Sequence, residues 1–154
     1  MNKTIIATYG ASGKGKSTTI KIAAQLLIDQ NPNAKVFIQH DFTYDILLTI
    51  QIGTIRIGFE SQGDPKSRML NYDTLRQLAD KELNPRLGNC NIIVCATRTR
   101  GETPKKVDQI ADEYGFHSLW ISSFMSPKLN HSVLNNMAAN NIINVINSLM
   151  TGQL

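Results

Sequence analysis

Residues 10–17 read G-A-S-G-K-G-K-S, between an apolar β-branched run at 4–8 (T-I-I-A-T) and a helix-like segment at 18–29. That order of strand, glycine-rich loop and helix is what phosphate binding requires. The strand delivers the loop, and glycines let it curl so that successive backbone N–H groups point inward. The helix N-terminus then adds partial positive charge. The pattern G-x-x-x-x-G-K-[ST] is met in full by Gly10, Ala11, Ser12, Gly13, Lys14, Gly15, Lys16 and Ser17. Lys16 is the residue expected to reach the β- and γ-phosphates, and the Ser17 hydroxyl is the expected Mg²⁺ ligand. Thr18, which opens the helix, completes the phosphate-binding set.

The remainder of the chain is read around this loop. With 154 residues it has room for one domain, 1–154, with a sizeable core. A hydrophobic content of 42% with 18% charged residues is ordinary for a soluble protein. There is no apolar run near eighteen residues and no signal-peptide pattern, so no membrane partner and a cytoplasmic location are expected. The formal charge of +4 is modest. An anionic nucleotide alone accounts for it, while nucleic acid and a homodimer are allowed but not required. Cys90 and Cys95 have no metal-binding or redox spacing, and Cys95 sits in an apolar run as a buried free thiol would.

Elements alternate along the chain. A first helix over about 16–30 is apolar around much of its circumference and stops at Asn31-Pro32-Asn33. A strand at 35–39 follows. Two runs at 46–52 and 54–59, alternating around Gly53, then predict a β-hairpin that places one antiparallel strand at a sheet edge. A helix is expected over 66–83, with a possible break near Asn71, and a buried strand over 91–96. Thr103-Pro104 reads as an N-cap and first helical position of a helix ending at Gly115. A strand at 117–122 and a final helix at 132–150 complete the chain. The last helix is expected to bury Leu134, Met137, Ala138, Ile142, Val145, Ile146 and Leu149, with Asn135, Asn136, Asn140 and Asn147 on its wet face. The alternation predicts an α/β three-layer sandwich around a mostly parallel sheet.

The loop resembles that of the P-loop NTPases, and the resemblance implies their fold and a bound nucleoside triphosphate with Mg²⁺. A carboxylate is then needed to position the metal. Glu60-Ser61-Gln62-Gly63 resembles the D-x-x-G segment of small GTP-binding proteins, and more closely the E-x-x-G form of metallochaperone GTPases. By that resemblance Glu60 takes the metal role together with Ser17, and the Gly63 N–H senses the γ-phosphate. Asp64 is a further carboxylate close by. The resemblance covers roughly residues 1–65. Where a guanine-specific [NT]-K-x-D would stand, the chain has T-R-T-R at 97–100, with no carboxylate for the guanine edge, so ATP is expected rather than GTP.

Two further groups complete the candidate site. Asp41, at the end of the second strand, can bind an acceptor substrate or help organise Mg²⁺, or it can simply cap a turn. Arg98 and Arg100 follow a buried strand on the expected ligand edge, where guanidinium groups neutralise transferring phosphate or bind an anionic acceptor. Lys16, Glu60 and Asp41 are thus the candidate catalytic residues. Three functions fit: a Mg²⁺-dependent NTPase coupled to a protein partner, a kinase acting on a small acceptor through Asp41 and Arg98/Arg100, and a non-catalytic nucleotide-binding module. The lack of an arginine-rich lid insertion favours the NTPase; residues 123–131 make at most a short cover.

Overall fold

Strands and helices alternate in the computed structural model, which describes residues 1–10 and 15–154. Their order is β1 (Thr4–Tyr9), α1 (Lys16–Gln30), β2 (Lys35–His40), β3 (Leu47–Ile52), β4 (Ile55–Glu60), α2 (Arg68–Asn71) and α3 (Thr74–Ala79). Then come β5 (Ile92–Thr97), α4 (Glu102–Tyr114), β6 (His117–Ser122) and α5 (His131–Met150). The strands form one sheet in the order β2-β3-β4-β5-β1-β6. Pairings β4–β5, β5–β1 and β1–β6 are parallel, and β3 runs antiparallel to both β2 and β4.

Period-two alternation distributes the strand side chains between two cores. Ile6, Ile57, Phe59 and Val94 face α1 and α5, which pack on each other. Ile5, Leu47, Ile93 and Cys95 face the opposite side, against Leu75 and Leu78 of α3 and Val107 and Ile110 of α4. The central strands are buried on both faces, which is why they read as unbroken apolar runs. Cys90 and Cys95 are free thiols on the second side. Burial pushes both up, the Cys90 pKa to about 12. No helix among the described residues is long and apolar enough to cross a membrane.

The structure corrects four expectations. The antiparallel strand is not at the edge: β2 pairs outside it (Lys35↔Gln51, Ile38↔Leu48), leaving β3 second from the edge. The helix expected over 66–83 is broken after Asn71, where a break was allowed for and where Asp73 adopts φ 53 with its carboxylate accepting from Arg76 Nε at 2.7 Å, but it ends at Ala79, short of the expected bound at 83. Thr103 does not cap α4, whose N-cap is Gly101. Its hydroxyl instead accepts from the Arg98 N–H at 2.9 Å, holding the β5–α4 turn. Met137 is exposed rather than buried, because the buried face of α5 begins at Ala138 and Ala139.

Candidate functional site

Parallel strands bring the C-terminal ends of β1, β4 and β5 to one edge of the sheet, where a ligand crevice forms in open α/β structures. The reversed strand matters as much. Because β3 runs the other way, it is its beginning that lies at this edge, and Asp45 stands two residues before it. A pocket of about 280 Å³ opens there, lined by Lys16, Ser17, Asp45, Ser61, Gly63 and Asp64 among others.

The start of α1 supplies the cationic side. Gly15 precedes the helix with φ 77, a left-handed conformation that favours glycine, and a β-carbon there would press on the Asn135 side-chain oxygen. Among the described residues no side chain caps α1, and its first turn carries no acidic residue. Its first N–H groups and the positive end of its dipole therefore face the crevice with no acidic residue of the helix itself to offset them. Lys16 is buried, and its ammonium donates to the Gly10 carbonyl at 2.6 Å. Burial lowers the Lys16 pKa; Asp64 opposes that shift and Arg98 adds to it. Both side chains are therefore close enough to be felt by Lys16.

The acidic side is Asp45. Ser17 donates its hydroxyl hydrogen to Asp45 Oδ1, and the Ser61 hydroxyl donates to the same oxygen at 3.0 Å. Ser61 is held in turn by the strand pair: its hydroxyl accepts from the Ile46 N–H at 2.8 Å, and its own N–H donates to the Ile46 carbonyl at 3.1 Å. Gly63 lies so close to β5 that a β-carbon would collide with the Ala96 carbonyl, so only glycine lets this segment close over the strand end.

Glu60 does not take the place expected of it. Phe59 faces the α1 side, so the next side chain in the strand points to the other face. There its carboxylate is sealed from solvent and bonded to Arg68 at 2.8–3.1 Å, to the Thr74 hydroxyl at 2.6 Å and to the Gln62 N–H at 3.0 Å. Burial pushes its pKa up, against the pull of these donors. With its lone pairs occupied on the far face, it is Asp45 and not Glu60 that meets Ser17. Asp41 is exposed and accepts from the Thr43 N–H at 2.9 Å, which lowers its pKa. It caps a turn and does not line the pocket. Arg98 reaches the edge of the pocket, where its Nε donates to Asp64 Oδ1 at 2.8 Å, whereas Arg100 is exposed. The phosphate-binding roles expected of Ala11, Ser12, Gly13 and Lys14 fall outside the described residues.

No known protein family, curated protein or solved structure matches the chain. The site is therefore read from its own geometry. A second cavity, of about 660 Å³, continues from the first past Gly15 and Thr18. Its walls include Phe124, Met125, Pro127, His131 and Asn135, from the β6–α5 connection and the first turns of α5. Ser126 folds that connection by accepting from the Lys128 and Leu129 N–H groups, and Asn130 caps α5 through the Val133 N–H. Asn135, expected on the wet face of α5, instead stands against Gly15. Among the described residues no cluster of three or more His, Cys, Asp or Glu groups could hold a metal unaided. A cation here would share protein oxygens with a ligand.

Proposed function

We propose that the chain is a P-loop NTPase that binds ATP with Mg²⁺ and hydrolyses it, coupled to a protein partner. One observation carries the reading. Lys16 and Ser17 open α1 at the sheet edge, and the Ser17 hydroxyl meets a carboxylate, Asp45, delivered by a different strand. Hydroxyl and carboxylate oxygens suit a hard cation that takes one or two protein ligands and completes its shell with water and phosphate. Ser17 and Asp45 would hold Mg²⁺, the role expected of Glu60 passing to Asp45. When bound, Mg²⁺ offsets charge on the outer phosphates.

The other roles belong to the chain itself. The N–H groups opening α1 receive phosphate oxygens, and Lys16 exchanges the Gly10 carbonyl for a phosphate oxygen. Arg98 exchanges Asp64 for the transferring phosphoryl group, where its guanidinium meets charge developing on the oxygens. Asp64, released across the pocket, orients the attacking water. The second cavity takes the nucleoside. The lining side chains named above are apolar, aromatic, imidazole and amide, without a carboxylate to pair with the guanine edge, which supports adenine.

Titration calorimetry with ATP and GTP, with and without Mg²⁺, together with phosphate release, tests this reading. Lys16→Ala is expected to weaken triphosphate binding by at least about tenfold, roughly 1.4 kcal/mol. Unchanged affinity overturns nucleotide binding at this site. ADP formation that requires an added acceptor redirects the reading to phosphoryl transfer, and tight binding without turnover to a non-catalytic module.

A further inference from the structure

The buried pair under the pocket does more than fill space. Arg68, at the start of α2, faces three ways. Its Nε and Nη2 engage the Glu60 carboxylate at 2.8–3.1 Å. The same Nη2 donates to the Asp45 carbonyl at 3.0 Å and the Ile46 carbonyl at 2.8 Å. Its backbone N–H donates to the Gln62 side-chain oxygen at 2.9 Å. Glu60 is anchored independently by Thr74 of α3. The residue whose carboxylate meets Ser17 is thus gripped twice: Ser61 holds its side chain, and Arg68 holds its backbone from the opposite face of the sheet.

We infer that Arg68, braced by Glu60, is a positioning residue that aims Asp45 at Ser17 and so sets the affinity of the site for the Mg²⁺–nucleotide complex. The inference rests on the proposed Mg²⁺–ATP reading. Geometry argues for it over simple charge neutralisation. Glu60 needs only a cation, but a planar guanidinium can serve the carboxylate and two backbone carbonyls at once, with donors in a fixed fork. Asp45 precedes β3 and has no strand pairing of its own among the described residues, so without these ties its backbone is that of a loop. Arg68 also ties together the two adjacent segments that line the pocket, since its N–H is bound to Gln62, which the strand register carries beside Asp45.

Arg68→Lys separates the two roles, because lysine keeps the charge against Glu60 and loses the fork. Wild type and variant are titrated with ATP in Mg²⁺ and in EDTA, melting temperature is recorded, and amide hydrogen exchange is followed over residues 45–48. Groups that orient a metal ligand typically change affinity by about 10- to 100-fold. The variant is expected to lose that factor in Mg²⁺, to bind ATP in EDTA as wild type does, and to exchange faster at 45–48, with a lowered melting temperature that still lies above the temperature of the titrations. Wild-type affinity in Mg²⁺, or an equal loss with and without Mg²⁺, overturns the positioning role while leaving the nucleotide site intact. A wild-type protein whose ATP binding is indifferent to Mg²⁺ overturns the metal reading and this inference with it. Should Arg68→Lys fail to fold, Glu60→Gln, which keeps the shape of the brace and removes its charge, is run through the same titrations. Loss of the fold in both assigns the pair to stability alone and overturns the inference.

Discussion

Glu60 ends β4 and Asp64 follows four residues later, and each is paired with an arginine at 2.8 Å. Their surroundings differ. The Glu60 side chain is 0% exposed and Arg68 12%, whereas Asp64 is 53% and Arg98 33%. Among the described residues Glu60 is held by four donors, the two nitrogens of Arg68 counted separately, and Asp64 by one. Removing two charges from water is costly, and a buried pair survives only when further hydrogen bonds complete it, after which neither member can leave. An exposed pair is held by little and surrenders its arginine to a stronger anion. The contrast separates a fixed brace from a contact available to exchange, within one short segment.

The largest effect is expected at the buried pair. Glu60→Ala leaves the Arg68 guanidinium buried without its carboxylate, and should lower unfolding free energy by about 3–5 kcal/mol in urea denaturation. A loss below about 1 kcal/mol would place Glu60 with the ordinary surface acids and erase the contrast. Next is Asp45→Asn, which keeps the shape and removes the charge facing Ser17. It should weaken triphosphate binding in Mg²⁺ by about tenfold or more, near 1.4 kcal/mol, measured by calorimetry. Its unfolding free energy should stay within about 0.5–1 kcal/mol of wild type. The smallest effect on stability belongs to the open pair. Arg98→Ala should change unfolding free energy by less than about 1 kcal/mol, and the difference should shrink further in salt. Single-turnover kinetics should still show a fall in phosphate release of about tenfold, as loss of a group that meets developing charge implies. An Arg98→Ala variant that releases phosphate as fast as wild type would make the pair a solvated loop contact.

Much of this was open to sequence reasoning. The bounds of α1 and β6 follow from a proline stop and from apolar runs flanked by turn residues, and the six-stranded, mostly parallel sheet follows from the alternation of elements. The errors at the site have a common cause, the neglect of strand geometry. Glu60 was expected at the metal because it ends a strand on the correct edge. Period two, however, sends it to the face opposite Phe59, and Phe59 packs under α1. Asp45 has no motif, and hairpin arithmetic was the signal that could have found it. The register Leu47↔Glu60 places 46 beside 61 and so carries Asp45 to the edge where Gln62 and Gly63 stand. Arg68 could not be found this way. It lies in a four-residue helix whose direction depends on Lys66 and Asp73, both at positive φ without being glycine, and no local pattern announces such turns. Asn135 and Met137 were exchanged in role for a different reason. The N-terminal turns of α5 project beside Gly15 rather than over the sheet core, so apolar and polar positions there do not follow the helix's own buried stripe.

The two thiols beneath the sheet give the molecule an internal clock. Thiolate is the reactive form of cysteine, and both Cys90 and Cys95 are buried with their ionisation suppressed. An alkylating reagent can reach them only when the layer formed by α3, α4 and the sheet parts. The rate of labelling in the folded protein is then the rate or the population of that opening, depending on how fast the layer recloses. Glu60, anchored to α3 through Thr74, belongs to this layer, while Ser17 belongs to the other. Labelling with and without nucleotide therefore times, without an added probe, how firmly occupancy on one face of the sheet latches the other.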